Sequence, residues 1–187
     1  MPTLTAGGLD SALDHLVAAP ADTGTLTLVV RRPGTGLREI LTEGVLDEAD
    51  GLVGDNWLSR ATSRAIAEGR HLDGMITVMS SRMVGLLGDT DDERAQAGDQ
   101  LYVDLDLSHD NLPAGSRIAI GDGAVLEVTA KPHAGCKKFL ARFGQDALTF
   151  VNGEAGSRLR LRGLNARVVR GGVVRPGDVV HRLGGGS

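Results

Sequence analysis

Apolar residues recur along the chain at two different periods. Residues 9–19, LDSALDHLVAA, set Leu9, Leu13, Leu16 and Val17 three or four apart, behind Asp10 and ahead of Pro20, which predicts a short helix. From Thr25 the period falls to two: TLTLVVRR (25–32) alternates leucine with threonine before two valines, a strand pattern. Pro33, Gly34 and Gly36 then turn the chain, and residues 37–46 predict a second strand. Further short, β-branched runs predict strands at MITVMS (75–80), QLYVDLDL (100–107), SRIAI (116–120), AVLEVTA (124–130), NARVVR (165–170) and DVVHRL (178–183). Five Gly-Asp dipeptides, at 54–55, 88–89, 98–99, 121–122 and 177–178, read as turn punctuation. Residues 86–98, LLGDTDDERAQAG, are polar enough to be a loop or a frayed helix.

Many short strands with a few helical pieces predict a mostly β fold, a single-domain barrel with helical decorations. An open parallel sheet would need long helical patterns between strands, and these are missing. The expected layout is a helical segment over residues 1–23, the barrel over 24–183 and a disordered tail over 184–187, where the chain ends in GGGS.

Composition narrows this reading. A chain of 187 residues with 41% hydrophobic and 24% charged positions has the makeup of one globular domain, which excludes disordered, collagen-like and coiled-coil classes. No apolar run approaches the ~20 residues of a membrane span. The first twenty residues lack the basic start and apolar core of an export signal, and one cysteine permits no internal disulfide, so the expected compartment is the cytoplasm. Charge is uneven: residues 1–110 carry 8 Lys and Arg against 19 Asp and Glu, whereas residues 111–187 carry 12 against 5. The second half is therefore the one suited to an anion.

The most informative chemistry lies in AKPHAGCKKFLARFG (130–144). Cys136, Phe139, Leu140 and Phe143 fall on one stripe of a helix, so the thiol could be a buried core group. Alternatively, a thiol in a helix's first turn feels backbone N–H groups and the positive dipole end, and His133, Lys137 and Lys138 add cationic or titratable neighbours. That setting favours thiolate, the form that is nucleophile, metal ligand and sulfur acceptor. Between residues 131 and 170 nine Lys and Arg, Arg142 among them, face only Asp146 and Glu154, a match for an anionic ligand or a solvated basic face. If residues 158–162 are extended, Arg158, Arg160 and Arg162 share a face; if helical, they spread. Stacking aromatics for nucleic acid are lacking, which makes nucleic acid an unlikely partner. There is no P-loop, no His-Glu-x-x-His and no Gly-x-Ser-x-Gly; five scattered histidines suggest no preformed zinc site, and the acidic run after Asp89 fails as a calcium loop.

Several segments, in order, resemble the MOSC domain, the family named for the C-terminal part of molybdenum cofactor sulfurases. RRPGTGLRE (31–39), GLVGDNW (51–57), ITVMSSRM (76–83) and AGDQLYVDLDLSHDNLPAGSRIAIG (97–121) are similar to its earlier signatures. KPHAGCKKFLARFG (131–144) is similar to its cysteine segment, and LRGLNARVVRGGVVRPGDVV (161–180) to its closing motif. The resemblance implies a β-barrel like the one inserted in pyruvate kinase, and a functional cysteine at Cys136 that carries sulfur as a persulfide or touches the molybdenum of a pterin cofactor. It also implies that Gly54, Asp55, Asn56, Asn165 and Arg167 line the site. His133, Lys137, Lys138 and Arg142 are assigned to it from charge alone. The family is associated with pyridoxal phosphate through desulfurase domains found in larger members; about 24 residues precede the resemblance here, so no such site is visible, and sulfur would have to come from a cysteine desulfurase or pass to a molybdoenzyme. Asn56 stands where the family usually has a basic residue. Some stand-alone relatives reduce N-hydroxylated compounds as molybdoenzymes. The expectations are thus a molybdenum-cofactor or sulfur-carrier protein acting through Cys136 beside a basic cleft, a stand-alone reductase, or a non-catalytic scaffold on the same barrel.

Overall fold

A computed structural model describes residues 6–184. Two short helices, α1 (Ala6–Ser11) and α2 (Leu13–Val17), lead into the long strand β1 (Thr23–Arg31). Next come β2 (Glu39–Leu41), β3 (Gly44–Asp47), β4 (Gly51–Leu52) and α3 (Ser63–Ala67). The middle of the chain forms β5 (Ile76–Ser80), α4 (Ser81–Gly85), α5 (Asp91–Ala95), β6 (Leu101–Asp104), β7 (Arg117–Ile120) and β8 (Ala124–Val128). After these follow α6 (Lys137–Asn152), α7 (Glu154–Arg158), β9 (Leu164–Arg170), β10 (Gly172–Val174) and β11 (Val179–Leu183).

Seven strands close a barrel in the order β11, β7, β8, β9, β5, β6, β1, with β1 returning to β11. Nine residues make β1 long enough to pair with β11 at its start, β6 in its middle and β2 at its end. The β5–β6 pair is parallel and all the other pairs are antiparallel. A small sheet, β10-β3-β4, is built from separate strands beside it. The expected mostly β barrel with helical decorations is the fold observed.

Alternation explains the two cores. In β5, Ile76 and Val78 face the barrel interior with Leu101 and Val103 of β6, while Met79 and Tyr102 face outward into a second layer. That outer layer is covered by Met83 and Val84 of α4, Ala95 of α5, and Phe139, Ala147 and Val151 of α6. In β1 a bulge between Leu26 and Leu28 switches the phase: Leu26 and Val29 point inward, Leu28 and Val30 outward. One strand therefore serves both layers.

The departures are local. The strand expected over 37–46 is two strands, β2 and β3, broken at Thr42 and Glu43, and the one expected over 100–107 ends at Asp104. The expected helix over 9–19 is two pieces parted at Ala12; Leu16 is buried beneath it, Val17 is exposed, and the side chains of Leu9 and Asp10 lie outside the described residues. Residues 158–162 form neither a strand nor a continuous helix: Arg158 ends α7, Arg160 adopts φ 48°, and Arg162 is buried, so the three arginines do not share a face. The disorder expected for the tail falls, beyond Gly184, outside the described residues. No helix among the described residues is long and apolar enough to cross a membrane.

Residues 86–98 are ordered where sequence left a loop or a frayed helix. Thr90 caps α5 in a reciprocal capping box with Glu93, and three acidic residues occupy the first turn, where the dipole favours them. Thr90→Ala should cost about 1 kcal/mol in urea unfolding, with an unchanged denaturant slope; no loss of stability would mean that α5 does not depend on its cap.

Candidate functional site

The carbonyls that follow α5 organise a ring of arginines. Arg38 Nε donates to Ala95 O (3.2 Å), Arg142 Nη1 to Gln96 O (2.6 Å), Arg162 Nη2 to Ala97 O (3.0 Å) and Arg32 Nη1 to Gly98 O (2.9 Å). These carbonyls lie at a helix C-terminus, the negative end of its dipole, which suits cations. Gly98 has φ 89°, and a Cβ there would meet Arg38 Nη2 at 3.1 Å, so glycine allows both the turn and the approach of the guanidinium.

Two buried carboxylates lock this ring to the barrel. Asp55 accepts from Arg32 Nε and Nη2, both at 2.8 Å, and from the backbone N–H groups of Arg32 and Trp57. Asp99, fully buried, accepts from Arg162 Nη1 at 2.5 Å and from His133 Nε2 at 2.6 Å. Burial pushes the Asp99 carboxyl upward, but Arg162 and His133 outweigh it and hold the group down at about 2, so Nε2 of His133 carries the shared hydrogen. The Asp99 N–H donates to Tyr102 Oη, and burial with the Asp99 charge drives the Tyr102 phenol well above its usual range. The Arg162 guanidinium also stacks 5.1 Å over the Phe139 ring. Buried Asn165 donates from Nδ2 to the carbonyls of Lys131 and Pro132, fixing the start of the cysteine loop.

Cys136 is the N-cap of α6, with extended backbone (φ −120°, ψ −179°), and it is exposed. The extended cap lies out of phase with the helical stripe, so Phe139 is buried beneath the helix while the thiol faces solvent. Partial burial pushes the thiol up. The N–H groups of Phe139 and Lys138, then the charges of Arg162 and Lys138, overcome this and bring it below its ordinary value. Alkylation of native Cys136 by iodoacetamide should therefore reach half its limiting rate at lower pH than in the urea-unfolded chain. An equal or higher midpoint in the native protein would contradict a stabilised thiolate.

Beside this helix end lies a cavity of about 270 Å³ whose lining includes Arg32, Arg38, Arg60, Lys138 and Arg142, with Asn56, and no carboxylate. Of its cations only Arg32 is ion-paired among the described residues. Arg38 is held below its usual value by burial and then by Arg142 and Arg32; Arg60 likewise by burial and then by Arg32. Asn56 Oδ1 is buried without a partner.

The structure brings Lys138, Arg142 and Asn56 together around this cavity, with Cys136 two residues before Lys138 and outside the lining, Asp55 as a buried anchor, partly buried His133 on Asp99, and Gly54 at the turn ahead of Asp55. Asn165 acts on the loop rather than at the cavity. Arg167 stands apart, exposed on β9 and paired with Glu127, and Lys137 is exposed outside the cavity lining. Arg32, Arg38, Arg60 and Asp99 were not singled out from sequence, and Arg162 was named only as one member of the basic run. Asp99 sits in one of the Gly-Asp dipeptides read as turns, and a buried carboxylate at a turn looks the same in sequence as an exposed one.

Solved structures share this fold. The YUAD protein from Bacillus subtilis is 20% identical with a TM-score of 0.58, covering 87% of this chain and 97% of that one. YiiM from Escherichia coli is 17% identical with a TM-score of 0.53, covering 87% and 71%. YiiM from Geobacillus stearothermophilus is 14% identical with a TM-score of 0.50, covering 86% and 73%. No curated protein matches the chain in sequence. The MOSC domain family, however, matches residues 86–181, just over half of the chain and the part that carries Asp99, Cys136 and Arg162, and the chain belongs to that family.

Proposed function

We propose that this protein binds a molybdenum cofactor, with Cys136 as the sulfur ligand and the five-cation cavity as the seat of the cofactor's phosphate. The observation that carries this reading is the cavity itself: five side-chain cations and no carboxylate around about 270 Å³, with Lys138 two residues from an exposed thiol. The residues present fit the group. Guanidinium and ammonium groups suit a phosphate, a thiolate suits a soft metal, and the orphaned Asn56 Oδ1 suits an N–H of a pterin. Bound there, the cofactor would supply redox chemistry at the metal. The chain's own part is to hold the thiolate on the N–H groups of Lys138 and Phe139, and to fix Arg162 and His133 through Asp99 so that the cationic field stays in place.

Exposure of Cys136 favours a second reading, sulfur carriage. The thiolate would attack the outer sulfur of a donor persulfide, forming a new S–S bond at Cys136 while the donor's S–S bond breaks and its cysteine leaves as thiolate, with no net change in oxidation state. A cysteine desulfurase as donor or a molybdoenzyme as acceptor fits this chemistry. In either reading the cytoplasm is the proposed compartment.

Metal analysis and intact mass of protein from a molybdenum-replete host test both readings. The first expects about one molybdenum per chain, lost in Cys136→Ala and in Arg60→Glu. A mass gain of one sulfur on Cys136 without metal would select carriage. Neither metal nor sulfur on a thiol no more reactive than in the unfolded chain would leave a scaffold on a MOSC barrel.

A further inference from the structure

A second hollow, of about 190 Å³, has the segment from Lys131 to Ala134 as one wall and shares no lining residue with the five-cation cavity. His109, His133, Arg160 and Arg162 line it, and no carboxylate does. Arg162 has its counter-charge in Asp99. Arg160 has none: it is 9% exposed, its Nη1 donates to the carbonyls of Leu107 (3.3 Å) and Leu112 (2.5 Å), and no ion pair engages it among the described residues. A guanidinium taken out of water with only neutral acceptors is a costly arrangement, because buried charges are ordinarily paired.

Two further features point the same way. Arg160 is the non-glycine residue with positive φ, 48°, among the described residues, held there by the bonds from Arg160 N to Ser157 O (3.1 Å) and from Gly163 N to Arg160 O (2.7 Å). Glycine or asparagine fills that backbone region with less strain, so an arginine here puts the demand on the side chain. Arg162 Nε is also buried without a partner, although both of its terminal nitrogens are engaged. Cations that exceed their internal acceptors, around a formed hollow, suit an anionic guest.

We infer that this hollow is a second anion site that takes a small oxyanion of the phosphate class, seated against Arg160 and Arg162 with His109 beside it. Its volume admits one phosphate with a short organic tail and falls below the ~300–1,000 Å³ typical of drug-sized ligands. The field of Arg160 is already felt at His109, which burial and then Arg160 hold below its ordinary value. A negative guest would relieve both groups. The site stands on Arg160, although Arg162 and His133, which also line it, belong to the cationic field proposed around Cys136.

Residue-resolved NMR with inorganic phosphate, against sodium chloride at equal ionic strength, tests it on the intact chain. The amides of His109, Ser157 and Gly163 should shift saturably in wild type with phosphate and not with chloride. In Arg160→Asn, which suits the positive φ, the same response should need at least about tenfold more phosphate, while shifts at Arg38 and Arg60 remain. Silence at His109, Ser157 and Gly163 in the wild-type titration would overturn the site without any variant, as would equal affinity in wild type and Arg160→Asn. Because the two hollows have separate reporters, failure of this site and failure of the cofactor reading are distinguishable.

Discussion

Asp99→Asn should lower the unfolding free energy by about 3–5 kcal/mol, seen as a fall of roughly 10 °C in the thermal midpoint. The carboxylate is fully buried and is the counter-charge of Arg162, itself buried, and it also receives the hydrogen from His133. An amide leaves the guanidinium uncompensated in a place where its Nε already lacks a partner. The cost should depend on pH with a definite sign. Because the folded carboxyl sits at about 2, below its unfolded value, its ionisation stabilises the fold above pH ~4 and that contribution disappears as pH falls through about 2. The gap between wild type and variant should therefore narrow in acid by on the order of 2 kcal/mol. A gap that is constant from neutral pH to pH ~2 would show that the charge of Asp99 is not what holds Arg162.

Asp55→Ala should be of similar size, about 3–5 kcal/mol, and should reach the five-cation cavity as well. Asp55 is the bidentate partner of buried Arg32 and accepts two backbone N–H groups, so its loss frees an arginine of the cavity wall and unties the turn at Asn56. Arg32 also donates to Gly98 O, one residue before Asp99, so the two carboxylates share the segment 98–100. Chemical denaturation of Asp55→Ala, Asp99→Asn and the double variant should give a double-variant cost below the sum, since each single change already loosens the common segment. Strict additivity would mean that the two ion pairs are independent supports.

The expected strands in the barrel wall match observed ones because period-2 burial is written in the residues themselves: in β7, Arg117 and Ala119 alternate with buried Ile118 and Ile120. Strands β4 and β10, of two and three residues, are too short to show any period, and they exist because β3 supplies both with partners. Cys136 was legible as a candidate because its helix start and cationic neighbours are adjacent in the chain. Whether it was core or exposed was not legible, because the answer lay in one extended residue that takes the cap out of the helical phase.

By itself the sequence determined the class of the fold, most of the strands, the charge asymmetry and the resemblance that singled out Cys136, all of which follow from local period and order. Tertiary structure decided which arginines matter. Arg32, Arg38, Arg142 and Arg162 come from distant parts of the chain and converge because residues 95–98 present four carbonyls at the end of a helix. Arg160 and Arg162, two residues apart, acquire different fates because one turns toward Asp99 and the other meets only backbone oxygen. A charge in sequence has no partner until the fold brings one near, and the distance to that partner decides whether the charge supports the structure or remains open to a ligand.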